Sequence, residues 1–201
     1  MGELKSAREL AMERIAKMTA DREADPSAKL RWEYEPKGQE IAGKYMEDNK
    51  VNIEESLIAI DNAEGREVVK KAVQTVLLEN VILCDTLHEK RRVERALGGL
   101  REIKEDKASF DEIVQDLMMI YQHNSTEGQQ QRKQVKESLT RSYMQHIQQM
   151  GAAEGVNYDM SNVNPEEIPE FQQQLRHFIN QIDEGYKQGI ADVKKRMAAL
   201  K

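Results

Sequence analysis

Residues 165–201 read PEEIPEFQQQLRHFINQIDEGYKQGIADVKKRMAALK. Asn164 caps a helix well, and proline at the first helical position followed by acids is a typical helix start. Apolar residues then recur every three or four positions: Ile168, Phe171, Leu175, Phe178, Ile182, Tyr186, Ile190, Val193, Met197 and Leu200. This spacing places them on one helix face and predicts coiled-coil-like pairing with a second helix.

A second long helix, predicted to begin near Glu127, precedes this one. It is rich in glutamine and carries a narrow apolar stripe: Val135, Leu139, Tyr143, Ile147 and Met150. With a loop at Gly151–Asn164 between them, the two helices are predicted to form a long antiparallel hairpin. We expect Gly185 and Gly189 to allow close approach by another helix or a bulky side chain.

The most apolar run lies between Arg66 and Leu97 and contains neither proline nor glycine. Its β-branched residues would also be compatible with β-strands, but its length predicts one uninterrupted helix in the middle of a bundle. Gly98-Gly99 is then expected to break or bend that helix. Further helices are predicted over residues 3–22, after a cap formed by Asn52 with Glu55, and after a capping box at residues 109–112; the last ends around residues 123–124.

Asp25-Pro26 is a cap followed by proline at the first helical position, which predicts the start of a second helix. Two aromatic residues lie beside a predicted irregularity in that helix. Pro36 is expected to interrupt or kink that helix, because proline lacks the amide hydrogen and clashes with the preceding turn. Trp32 and Tyr34 are expected to pack this kink against the core, although an exposed aromatic platform is the alternative.

These patterns predict an all-α, multi-helix bundle. The chain has 11 glycines and 4 prolines in 201 residues, too few turn residues for a sandwich or barrel. We expect a single helical domain over residues 1–201, with a helical core at 1–124 and a long, coiled-coil-like hairpin at 125–201.

Charge and hydropathy narrow the function classes. The net charge of −6 gives no overall basic field, so nucleic acid is not expected as a partner. The sequence has no run of about 18 apolar residues, so no membrane span is predicted. It also shows no apolar stretch of the kind that a signal peptide carries near its start, which predicts a cytoplasmic protein. Cys84 is the single cysteine, which excludes an intrachain disulfide; we interpret it as a small buried hydrophobe.

The sequence contains no recognisable catalytic motif, and no catalytic residue or cofactor is predicted. A dimetal bundle needs two Glu-x-x-His pairs. The chain offers one imperfect version, so Asp85 and His88 are its candidate metal ligands.

A basic patch follows directly, formed by Lys90, Arg91, Arg92 and Arg95. It could receive a phosphate, an acidic partner or nucleic acid. The simpler interpretation is a solvent-facing helix end favoured by the dipole, since Glu89 and Glu94 dilute its field.

Both ends of the chain resemble a known family. The start Met1-Gly2-Glu3-Leu4-Lys5-Ser6-Ala7, with Glu9-Leu10-Ala11 and Glu13-Arg14 after it, and the later Pro169-Glu170-Phe171 with the helix that follows are similar to an uncharacterised bacterial family. That family is known only as a domain of unknown function. The resemblance implies a bacterial, cytoplasmic, helical protein, and it brings no activity or ligand.

Nucleic-acid binding through residues 90–95 is a third function class that is not expected, and two function classes remain open. The first is a non-enzymatic interaction or scaffold protein that acts through helical surfaces and pairs with itself or another protein. Its predicted self-association surface lies on the last helix: Phe171, Leu175, Phe178, Ile182 and Tyr186. The alternative is a helical bundle that binds a small molecule or a metal around Asp85 and His88, and that could be an enzyme.

Overall fold

Helices account for nearly all of the architecture. The computed structural model of the chain describes residues 26–47, 51–84, 86–154 and 163–201, with Arg8 and Met12. The elements are α1 (Pro26–Glu47), α2 (Ile53–Ile58), α3 (Ala63–Glu79), α4 (Leu87–Ile103), α5 (Lys107–His123), a π-helical turn (Asn124–Gly128), α6 (Gln129–Glu154), a 3-10 turn (Pro165–Glu167) and α7 (Pro169–Ala199).

No β-strand occurs among these residues, and the predicted all-α fold is confirmed. Over the same residues, we find no helix whose length and apolarity would let it cross a bilayer. The helix predicted at residues 3–22 lies almost wholly outside the described residues, as does most of the loop predicted between α6 and α7.

The described chain divides into two compact units. The first holds α1 to α4, ending at Val81 and resuming over Leu87–Glu105. The second holds Ile82–Thr86 and Asp106–Lys201. Helix α5 therefore groups with α6 and α7, whereas the predicted sub-parts place it in the core at 1–124; that predicted division into 1–124 and 125–201 stays a prediction.

In the first unit, α1 packs along α3, and α4 contacts each of the other three helices. The core is formed by the apolar faces that these helices turn toward one another. Its fully buried members include Ile53, Val69, Val73, Leu77, Val93 and Leu100. A Cβ atom on Gly99 would lie 2.7 Å from Tyr45 Cε1 and 2.9 Å from Leu77 Cδ1. Glycine is therefore needed at this point for the side chains of α1 and α3 to reach the backbone of α4.

The uninterrupted helix predicted from Arg66 to Leu97 is wrong. Helix α3 ends at Glu79 and α4 begins at Leu87. At the break, the Asn80 amide nitrogen Nδ2 donates to the Val76 carbonyl at 2.6 Å, and the backbone N–H groups of residues 80 and 81 close a tighter turn. Asparagine offers the backbone this local alternative to the helix, so the chain leaves the helix although no proline or glycine is present.

Three further expectations for the first unit need correction. The glycines at 98 and 99 do not break α4, which runs on to Ile103, and the alternative of a bend there stays a prediction. Pro36 does not interrupt α1, which includes it, and the alternative of a kink at Pro36 stays a prediction. Trp32 is 63% exposed and does not pack into the core, whereas Tyr34 is half-buried with its ring against Gly65. The predicted cap at Asn52 is confirmed, because its side-chain oxygen accepts from the Glu55 N–H at 3.1 Å.

In the second unit, α5 begins one turn earlier than the predicted capping box. Asp106 is the N-cap: its carboxylate accepts from the Ser109 N–H at 3.0 Å and from the Ser109 hydroxyl at 2.6 Å. These hydrogen bonds lower the pKa of Asp106. Helix α7 packs on both α5 and α6. The most buried apolar side chains of α5 and of the C-terminal half of α7 are Phe110, Ile113, Leu117, Ile190, Val193 and Met197.

Candidate functional site

The paired helices of the second unit present the candidate site. The Tyr143 ring of α6 meets the Phe171 ring of α7 edge-on, with ring centroids 5.3 Å apart. Further along, Arg132 of α6 bonds to Asp183 of α7. The paired positions rise along one helix and fall along the other, so the two helices run in opposite directions. The residues that link them, 155–162, lie outside the described part, and the long hairpin stays a prediction.

The apolar contact between α6 and the first half of α7 is only partly covered. Phe178 is 41% exposed, and its apolar neighbours along the helix pair are half-buried. In the second half of α7, by contrast, Val193 is 5% exposed and Met197 is fully buried. We call the partly covered side chains the α6–α7 stripe: Val135, Leu139, Leu175, Phe178 and Ile182.

The five predicted interaction residues separate into two groups. Phe171 is fully buried against Tyr143, and the Tyr186 hydroxyl lies 2.9 Å from His123 Nδ1, so both already have partners within the chain. The other three, Leu175, Phe178 and Ile182, keep part of their surface exposed and belong to the α6–α7 stripe. Self-association through this face stays a prediction.

Helix α5 ends at His123, as predicted, but the chain continues from there through a π-helical turn directly into α6. The hydroxyls of Ser125 and Thr126 both donate to the Gln122 carbonyl, at 2.8 and 2.9 Å. Hydroxyl groups that bond back to the preceding turn compete with the regular backbone ladder, which accounts for a wider turn at this point.

A polar cluster surrounds the π-helical turn. The Arg132 guanidinium donates to Asp183 Oδ1 through Nε at 3.0 Å and through Nη2 at 2.5 Å. The same Nη2 donates at 2.7 Å to Oδ1 of Asn124, a side chain that is 4% exposed. A Cβ atom on Gly128 would lie 2.9 Å from both Asn124 Oδ1 and the Tyr186 hydroxyl. We call these residues the π-turn cluster: His123, Asn124, Gly128, Arg132, Asp183 and Tyr186.

The π-turn cluster is satisfied by its own members. Among the described residues, no fully buried side-chain nitrogen or oxygen lacks a hydrogen-bond partner. The Arg132 guanidinium also lies 5.9 Å from the Tyr186 ring centroid, within reach of a cation–π contact. These hydrogen bonds and the ion pair hold α7 against the π-helical turn. The sequence signal for it was a polar residue, Asn124, at a position where the apolar repeat of α5 would continue.

The candidate metal ligands are not brought into a described site. Asp85 lies outside the described residues, and His88 is exposed at the start of α4. Over the described residues, no group of three or more His, Cys, Asp and Glu side chains could hold a metal ion. The pairing of Asp85 with His88 stays a prediction.

The Cys84 side chain is half-buried, not fully buried, and its sulfur lies 3.4 Å from the Ile82 carbonyl. The Tyr121 hydroxyl donates to that same carbonyl at 2.7 Å. Burial, and then the neighbouring Cys84, raises the pKa of Tyr121 well above its usual value. The thiol therefore sits in a small hydrogen-bonded group beside α5.

Comparison with known proteins gives one match. The model of a family of unknown function, DUF6657, matches residues 55–199. The predicted resemblance to an uncharacterised family is thereby confirmed, and Pro169-Glu170-Phe171 lies within the match. No curated protein and no solved structure matches the chain.

Proposed function

Since the chain belongs to the family of unknown function DUF6657, its role has to be inferred from its own surfaces, and we propose a non-enzymatic protein that pairs with a second copy of itself. The α6–α7 stripe is the proposed interface. The observation that carries this proposal is the partial exposure of Phe178 and its apolar neighbours on two helices that already pack together. An interaction or scaffold protein that acts through helical surfaces is the corresponding function.

Two paired helices cover only one side of each other's apolar stripe. The remaining side is covered when a second pair packs against it, which gives the layered arrangement of a four-helix bundle. In a two-fold symmetric dimer the same patch is buried on both copies, so the patch has to be complementary to itself. Apolar stripes meet this requirement because they carry no charge of either sign.

The charges beside the stripe are compatible with self-pairing. Lys136 of α6 pairs with Glu166 at 2.8 Å, and Lys187 of α7 pairs with Glu184 at 2.8 Å. Because both signs are present and locally paired, two copies do not oppose one uniformly charged face to another. Exposed pairs of this kind contribute little stability but keep the rim of an interface neutral.

The test replaces one exposed ring. Phe178→Asp places a charge in the centre of the proposed interface, where burying it unpaired is strongly unfavourable. We expect native mass spectrometry and light scattering to report a dimer for the wild-type protein. For Phe178→Asp we expect dimerisation weakened by about a hundredfold or more, with unchanged helical circular dichroism.

Met119→Asp is the matched control, because Met119 is an apolar residue of α5, 60% exposed and outside the stripe. It should leave the dimer intact. A wild-type protein that stays monomeric at every concentration tested, or a Phe178→Asp variant that dimerises like the wild type, would overturn the proposal. If Phe178→Asp fails to fold, Phe178→Ala removes the same ring without adding a charge, and it should also weaken the dimer.

A further inference from the structure

A cleft of about 510 Å³ opens in the first unit, between the end of α1, the end of α3 and the first half of α4. Three arginines of α4 line it, together with His88. The volume falls within the range of about 300–1,000 Å³ that small-molecule sites occupy. The site lies within one unit and includes three of the four residues of the basic patch seen in the sequence.

Two of the three arginines are fixed by the surrounding fold. The Arg95 guanidinium donates to the carbonyls of Met46 and Glu47, the latter at 3.1 Å. It therefore satisfies the C-terminal end of α1 and balances the negative end of that helix. Arg92 Nε donates at 2.5 Å to Oδ1 of Asn80, a side chain that is 8% exposed. One edge of the Arg92 guanidinium is thus held, and a planar guanidinium carries further donors on its terminal nitrogens.

We propose that this cleft, the arginine cleft, binds the phosphate group of a small phosphorylated molecule. Guanidinium groups match the geometry of phosphate oxygens and form charge-assisted, often bidentate hydrogen bonds with them. Arg91 and Arg92 are exposed on adjacent positions of α4, and both line the cleft. Together they offer two positive charges to a phosphate that carries close to two negative charges at neutral pH.

The rest of the cleft suits the organic part of such a ligand. Met46 and Val76 contribute apolar residues to the lining of the cleft, and His88 lines it as well. A Cβ atom on Gly43 would meet no other atom within 4 Å, so the backbone of α1 lies bare toward open space at this point. A phosphorylated metabolite needs space for its organic part beside the anion-binding group, whereas inorganic phosphate does not.

Other ligands fit less well. The three positively charged guanidinium groups repel a cation, and this repulsion disfavours binding of a metal ion at His88. A long nucleic acid strand would need a continuous basic face. On α4, however, Glu89 and Glu94 lie among the basic residues, and Glu47 is also among the residues that line the cleft.

The binding test uses AMP and inorganic phosphate as probes in isothermal titration calorimetry on the full chain. We expect AMP to bind with one site per chain and phosphate to compete with it. Arg91→Gln should weaken AMP binding by about tenfold, the usual effect of losing a hydrogen bond between charged groups. Lys90→Gln is the matched control: it removes the same charge from the adjacent position, which does not line the cleft, and should change affinity less than about twofold.

A second variant tests the position without changing charge. Gly43→Met adds a side chain into open space, so the fold should persist, and the side chain should fill the cleft and abolish AMP binding. Binding of phosphate but not AMP would retain the phosphate site and identify the free anion as its ligand. No binding of either probe, or equal losses in Arg91→Gln and Lys90→Gln, would overturn the proposal, the second result because it indicates diffuse attraction instead of a site.

Discussion

Asn80, Lys104 and Asn124 are polar side chains buried in the described structure. Each stands where an apolar repeat would continue: after Val76 in α3, after Leu100 in α4 and after Ile120 in α5. From the apolar spacing alone, a polar residue at such a position indicates the end of a helix. That interpretation is correct at Asn80 and at Lys104, each of which lies one residue beyond the end of its helix. At Asn124, α5 also ends one residue earlier, but the chain then continues into the π-helical turn instead of leaving the helical path.

Lys104 carries a prediction of its own. It is 3% exposed and its ammonium group donates to Gln74 Oε1 at 3.0 Å. Burial lowers the pKa of Lys104, and the positive charge of Lys70 lowers it further. The unfolded chain therefore binds more protons than the folded chain between the lowered pKa and 10.5, and this group makes stability rise with pH across that window.

We expect Lys104→Met to raise the free energy of unfolding at pH 7 by about 1 kcal/mol, because an apolar side chain of similar length replaces a buried charge. The gain should shrink as the pH approaches 10.5, because the lowered pKa lets the buried wild-type amine lose its proton before that pH is reached. Urea unfolding at pH 7 and pH 10 measures both effects. Lys71→Met, at an exposed position of α3, should have little effect at either pH. A gain independent of pH would contradict the assignment.

At the scale of elements, the sequence predicted helices better than it predicted their ends. Spacing of apolar residues is repeated many times along a helix, so α5, α6 and α7 were evident from it. An end depends on one or two hydrogen bonds, such as the Asp106 cap on Ser109. The π-helical turn was missed for the same reason, since the bonds from Ser125 and Thr126 leave no periodic signal.

Two glycines allow the π-turn cluster to be tested. Gly128→Ala would place a Cβ atom 2.9 Å from Asn124 Oδ1 and from the Tyr186 hydroxyl, and we expect it to lower the free energy of unfolding by about 1–3 kcal/mol. Gly185 was expected to allow a close approach, but a Cβ atom there meets nothing within 4 Å. Gly185→Ala should therefore raise stability by about 0.5–1 kcal/mol through helix propensity. Urea unfolding compares the pair, and effects of the same sign would contradict the packing described for the cluster.

At the scale of the whole molecule, the all-α class follows from composition and apolar spacing, whereas the division into two units does not. Helix α5 groups with α7, which lies many residues further along the chain. Sequence spacing tells which face of a helix is apolar but not which distant helix covers it. For the same reason, the sequence identified the candidate interaction residues as one apolar stripe but could not tell which of them are covered. That Phe171 is buried became evident only from its contact with Tyr143 in the structure.

The proposed dimer predicts a property of the whole molecule. When folding is coupled to association, the thermal midpoint depends on protein concentration. We expect the Tm of the wild-type protein to rise by about 2–4 °C for each tenfold increase in concentration, and that of Phe178→Asp to stay constant. Scanning calorimetry over a hundredfold concentration range measures this. A wild-type Tm that does not change over that range would contradict coupling between folding and pairing.

The π-helical turn has a geometric consequence for the two helices that it joins. Each residue of an α-helix advances the chain by about 100° around the axis, so the wider turn rotates α6 by roughly that angle relative to an unbroken continuation of α5. Because α7 packs on both helices, their apolar stripes have to face the same direction. A chain with one residue fewer in Asn124–Gly128 could form a regular helix there, yet its α6 stripe would turn away from α7. The number of residues in this segment therefore constrains the fold as strictly as their chemical identity.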